Sequence, residues 1–107
     1  MKTLRFIVDG QTIRKDPDCI FDGIVPGTEN YLRAEFSFTP EWKNTSKVVG
    51  FYSNLGKEYE PQILEDGYSC MIPPSATKNR IFKICVFGKH GSLTLKTNRL
   101  AVEQKGG

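Results

Sequence analysis

One histidine, one tryptophan and three widely spaced cysteines are all that this sequence holds of the residue types that most often carry catalysis, stacking or redox chemistry. Each scarcity excludes something. The cysteines, Cys19, Cys70 and Cys85, are odd in number and include no Cys-x-x-Cys, so neither a disulfide framework nor a zinc site is signalled. They read as reduced, mostly buried small apolar residues, with a Cys70–Cys85 bridge the one pairing left open. His90 lies in a predicted turn, so a Ser/His/Asp or Cys/His arrangement would have to act from a loop tip. The glycines form neither Gly-x-Gly-x-x-Gly nor a Walker loop. Asp16-Pro17-Asp18 and Glu65-Asp66 lack the alternating oxygen ligands of a calcium loop and read as turns. The expectation is a chain with no catalytic residues, no cofactor and no metal.

Long apolar runs are missing as well. Nothing approaches the roughly 20 apolar residues needed to span a bilayer, and Met1-Lys2-Thr3-Leu4-Arg5-Phe6 meets charge before a signal-peptide core develops. No membrane association and a cytoplasmic start are expected. Sustained i, i+3, i+4, i+7 apolar spacing is also lacking, and Pro73 to Lys78 allows at most one helical turn.

What is present is strand signal. Leu32, Ala34, Phe36 and Phe38 alternate with polar neighbours, the pattern of a half-buried strand. The same reading fits Leu4–Val8, Gln11–Ile13, Lys47–Tyr52, Gln62–Leu64, Tyr68–Ile72, Phe82–Val86, Leu93–Thr97 and Leu100–Glu103. Asp9-Gly10, Glu65-Asp66-Gly67 and Gly88-Lys89-His90-Gly91 carry hairpin turn signals, so the strands they join are expected to be antiparallel. Gly88 is expected to allow the reversal of the last hairpin. The stretch from Asp16 to Asn30 is the least regular and is expected to cross between elements, and Gly106-Gly107 reads as a frayed end. Seven or more short strands in 107 residues with 38% hydrophobic content predict one domain, residues 1–107, folded as an immunoglobulin-like antiparallel β-sandwich, with a small barrel as the competing architecture.

Charge is unevenly placed. From Lys78 onward there are seven basic residues and one acid, Glu103, whereas residues 1–77 hold eight basic and eleven acidic ones. Such polarity suits an acidic partner at one face, or copies stacked head to tail. Lys83, Lys96 and Arg99 are expected to line the outward face of the last hairpin beside Phe87, with Lys89 at its turn. Basic groups interleaved with an aromatic also suit single-stranded nucleic acid, but an isoelectric point near 8.8 favours a protein partner. Trp42, Tyr31, Tyr52, Tyr59 and Tyr68 are the remaining aromatic contact candidates. Trp42 reads first as a cap on the core and second as a partner contact.

From residue 36 the landmarks run Phe36-x-Phe38, Pro40-Glu41-Trp42, Val48-Val49-Gly50-Phe51, Glu60-Pro61-Gln62-Ile63-Leu64, Asp66-Gly67-Tyr68-Ser69-Cys70-Met71-Ile72-Pro73, Phe82-Lys83-Ile84-Cys85-Val86-Phe87-Gly88 and Leu95-Lys96-Thr97-Asn98. As a set they resemble the small immunoglobulin-like domains of tailed-bacteriophage structural proteins, including those that begin baseplate and tail-fibre components. The resemblance implies a virion component in the baseplate, tail or capsid surface, present in the host cytoplasm during assembly. Its implied partners are other phage structural proteins, or repeated copies of itself as a homo-oligomer. The alternative is a small phage-encoded inhibitor or accessory factor that binds a host protein or nucleic acid through the same basic face. Fold likeness alone is a weak warrant for either.

Overall fold

The computed structural model describes residues 1–105; the expected frayed end at Gly106-Gly107 lies outside the described residues. Among the described residues nine strands form two sheets that share one core. The first sheet has the order β2-β1-β3-β6 and the second β5-β4-β7-β8, with β9 also paired to β7. In chain order these are β1 (Lys2–Asp9), β2 (Thr12–Lys15), β3 (Leu32–Phe38), β4 (Ser46–Ser53), β5 (Gln62–Ile63), β6 (Ser69–Met71), β7 (Ile81–His90), β8 (Leu93–Lys96) and β9 (Leu100–Glu103). The all-β expectation holds, and the two layers are those of a sandwich. No helix among the described residues is long and apolar enough to cross a membrane.

Period-2 alternation decides which side chains meet in the middle. Leu4, Phe6 and Val8 of β1 and Leu32, Ala34 and Phe36 of β3 face Val49 and Phe51 of β4 and Phe82, Ile84 and Val86 of β7. The stripe read at Phe82, Ile84 and Val86 is fully buried. A single 3₁₀ turn, Pro40–Trp42, follows β3 and swings the indole of Trp42 over the end of the core. There its Nε1–H donates to the carbonyl of Gly10 at 2.7 Å. The one helical turn expected after Pro73 is α1 (Pro74–Thr77), and Pro73 ends β6 because it cannot continue a ladder.

Three expectations are corrected. First, the sheets are not wholly antiparallel, since β1 and β3 pair in parallel from Lys2↔Leu32 to Val8↔Phe38. A parallel pair needs a long crossover, and the irregular stretch after β2 is that crossover. It packs Ile24 into the core and sets Phe21 edge-on against Phe6 at 5.4 Å. Second, Asp66-Gly67 does not close a hairpin, because β5 pairs with β4 and β6 with β3. The turn carries the chain from one sheet to the other. Asp66 stabilises it by accepting the amides of Tyr68 and Ser69 and the Ser69 hydroxyl. Third, Gly88 lies inside β7 and Gly91, at φ +58°, provides the left-handed residue of the β7–β8 turn. A Cβ on Gly88 would come within 2.7 Å of Trp42 Cζ3, so this glycine makes room for the indole.

All three cysteines are free thiols. Cys70 packs at the core edge on β6, whereas Cys85 lies on β7 in the other sheet, so the expected option of a bridge between neighbouring strands has no geometric basis.

Candidate basic face

β7 runs through the second sheet with β4 on one side and β8 and β9 on the other, and its non-core side chains form a candidate functional face. Alternation turns Lys83, Cys85, Phe87 and Lys89 outward. Register then sets Tyr52 of β4 opposite Lys83, Gly50 opposite Cys85, and Lys96 of β8 opposite Phe87. Gly50 has no side chain to occupy the middle, so the rings of Tyr52 and Phe87 lean over it. A Cβ there would sit 3.0 Å from the Tyr52 hydroxyl oxygen and 3.1 Å from Phe87 Cε2. Together they bury Cys85, although it points away from the core, and Tyr52 itself is only 6% exposed.

The cations form a second layer over these rings. The Arg99 guanidinium carbon stands 3.7 Å from the Tyr52 ring centre, and Lys96 Nζ is 5.5 Å from that of Phe87. Contacts of this kind contribute about 0.5–1 kcal/mol at exposed sites. Arg99 is positioned by the two residues before it. Thr97 donates its amide to the Val86 carbonyl at 3.1 Å and accepts the Val86 amide on its hydroxyl at 3.0 Å. Asn98 donates its amide to Gln11 and accepts the Ile13 amide on Oδ1 at 2.9 Å, tying β2 of the first sheet to this connector.

Burial governs the chemistry of the face. It holds the Tyr52 phenol above its ordinary pKa, with the neighbouring Cys85 adding to the effect. Loss of solvent raises the Cys85 thiol too, against the opposing pull of Tyr52, Arg99 and Lys96. A thiol so held is a poor nucleophile. The face therefore presents positive charge backed by rings.

Of the residues singled out in the sequence, Lys83, Phe87, Lys96 and Arg99 do come together, and Lys89 extends the face toward the hairpin tip. Trp42 does not join them. It is fully buried on the opposite side of the sheet, beneath Gly88, so it caps the core and has no surface to offer a partner. Tyr31 and Tyr68 are exposed, whereas Tyr59 is half-buried with its hydroxyl accepting from Asn79 at 2.9 Å. Tyr52 and Gly50 are the members that sequence reasoning did not assign to the face. Their outward parity was readable in Val48–Tyr52, but their neighbours depend on the β4–β7 register. His90 ends β7 exposed, and among the described residues no group of three or more His, Cys, Asp and Glu side chains is arranged to hold a metal ion.

Fold and face together define a two-sheet all-β domain with a basic, ring-backed surface on its five-stranded sheet. Comparison of the chain with protein-family models, curated proteins and solved structures finds no match.

Proposed function

We propose that this chain is a non-catalytic, immunoglobulin-like structural module of a phage or prophage virion, located in the baseplate, tail or capsid surface and working through protein–protein interfaces. It is present in the host cytoplasm during assembly and requires no cofactor. The virion setting draws on the likeness of the landmarks from Phe36 to Asn98. The interface role draws on one observation: Lys83, Lys89, Lys96 and Arg99 are gathered on an outward face of the sheet that the core does not need.

The layering of that face favours an acidic protein surface over single-stranded nucleic acid. A strand-binding sheet offers open ring faces for bases to stack on. Here Tyr52 is buried under Arg99, and Phe87 is half-buried beside Lys96, so the accessible layer is cationic. An interface of this kind gains in encounter rate and register, and weakens with salt.

The test is a labelled copy located in purified virions by mass spectrometry and imaging, paired with capture of partners from infected lysate. Wild-type chain should retain phage structural proteins, and a Lys83→Glu, Lys96→Glu, Arg99→Glu variant should lose them while keeping its fold. Absence from virions sinks the proposal, and retention of a host protein through the same three residues would instead make the chain an accessory factor.

A further inference from the structure

The free edges of the two sheets are not alike. The β2 edge is occupied, since Ile13 gives its amide to Asn98. The β6 edge is open. Phe36 donates its amide to Tyr68 at 2.8 Å and Ile72 donates to Leu32 at 3.0 Å, and in an antiparallel ladder such pairs alternate. Ala34↔Cys70 is therefore the bonded pair between them, and Ser69 and Met71 turn their main-chain groups away from β3. Asp66 takes the Ser69 amide at 2.7 Å. The Ser69 carbonyl and both main-chain groups of Met71 are left facing an open cleft of about 570 Å³ between β6 and the segment 60–63.

The same parity argument applies to β8. Thr97 donates to Val86 at 3.1 Å, which leaves the main chain of Thr94 and Lys96 on the side away from β7, where the Lys96 carbonyl accepts Gln11 Nε2 at 3.5 Å and both main-chain groups of Thr94 and the Lys96 amide stay available. The tip of this hairpin extends beyond β4, whose last partner on β7 is Lys89, and Leu93, Thr94 and Lys96 are exposed.

Resting on the reading of the chain as an assembling module, we propose that the β8 edge of one copy pairs with the β6 edge of a second copy, joining the five-stranded sheet of one to the four-stranded sheet of the next. Charge selects the edge. Glu60 and Glu65 line the cleft beside β6, and Lys89 and Lys96 flank β8. The β9 edge would instead bring Glu103 against those two acids. Because β6 and β8 are different elements, the contact is head to tail and does not close as a two-fold dimer, so copies add one after another. Each edge is short, the usual way of keeping strand pairing weak in dilute solution. Assembly would accordingly set in at the high local concentration of a growing virion.

The test uses sedimentation velocity on the purified chain. Average mass should rise with concentration and fall with added salt. Met71→Pro removes an outward N–H from β6 without touching the β3 ladder, and Thr94→Pro does the same on β8. Each variant alone should be monomeric, and an equimolar mixture should give a dimer and stop there, because each supplies the one edge the other has lost. Should either proline variant fail to fold by circular dichroism, Glu60→Lys/Glu65→Lys and Lys89→Glu/Lys96→Glu take their places: each alone should be monomeric, and because the two reversed edges also complement one another, their mixture should recover the concentration-dependent growth of the wild type. A wild-type chain that stays monomeric at every concentration, or a mixture that does not dimerise, overturns the pairing. Capture of phage structural proteins by Met71→Pro, whose basic face is untouched, would in that case leave the virion reading standing while the self-pairing falls.

Discussion

Replacing Gly88 with alanine should be among the most damaging single-methyl changes available in this chain. The added carbon would lie 2.7 Å from Trp42 Cζ3 and 2.8 Å from Cε3, whereas carbon atoms rest about 3.5–4.0 Å apart. The indole has nowhere to go, being fully buried and tethered to the Gly10 carbonyl at 2.7 Å. Overpacking of this sort costs about 1–3 kcal/mol, and an immovable neighbour places Gly88→Ala toward the upper figure. For a domain of this size that lowers Tm by on the order of 10–20 °C. Gly50→Ala is the control, because its close neighbours are the Tyr52 and Phe87 ring ends at 3.0–3.1 Å, on the outer face, where they can tilt outward. Its cost should stay under about 1 kcal/mol, partly offset by the chain entropy that alanine removes from the unfolded state. Urea denaturation of both variants reads the difference. A cycle with Trp42→Phe should show coupling of about 1 kcal/mol with Gly88→Ala, since the smaller ring vacates the space the methyl needs. A Gly88→Ala midpoint close to wild type, or a Gly50→Ala loss as large, would refute the reasoning.

Other expectations follow from the same geometry. Gln104, fully buried, donates to the carbonyls of Thr77 and Asn79 at 2.7 Å each, and because Thr77 keeps the Gly27 amide at 2.9 Å, Gln104→Leu should cost about 1–3 kcal/mol by leaving the Asn79 carbonyl unsatisfied. The exposed neighbour change Glu103→Gln should cost under about 0.5 kcal/mol in the same denaturation assay. Asn98→Ala should free the Ile13 amide and be seen as faster hydrogen exchange there, with a stability loss of about 1–2 kcal/mol. Burial pushes the Cys70 thiol up to about 12 and raises that of Cys85, so iodoacetamide at mildly alkaline pH should leave both unmodified until denaturant is added, as read by mass spectrometry. The Ser69 hydroxyl and the Tyr68 and Ser69 amides hold the Asp66 carboxyl below its ordinary value. A depressed carboxyl stabilises the fold fully above about pH 4 and loses that contribution as pH falls through its lowered value. Asp66→Asn should therefore flatten the acid limb of a stability–pH profile, and an unchanged limb would count against the turn-capping role.

Much of the fold was legible because strand formation leaves a local record. The alternation in Leu32–Phe38 and Phe82–Val86 reports one wet and one dry face, Pro73 halts β6, and Pro40-Glu41-Trp42 marks where β3 ends and a large ring enters the core. The basic residues of the candidate face were legible for the same reason, since their parity follows from their spacing to the core stripe. Asp66-Gly67 shows where local record ends. Its turn chemistry is the same whether the chain returns within one sheet or passes to the other, so the hairpin expectation had nothing local to correct it.

The amino-acid order by itself determined the strands, their buried faces and the outward cations on β7 and β8. Tertiary structure decided the rest: the parallel β1–β3 pair, the burial of Trp42 over Gly88, the covering of Cys85 by Tyr52 and Phe87, and the placement of Arg99 on Tyr52. The physical reason is range. Alternation is set by the geometry of neighbouring residues, whereas pairing partners and close ring contacts depend on segments tens of residues apart meeting in one register, which only packing of the whole core selects.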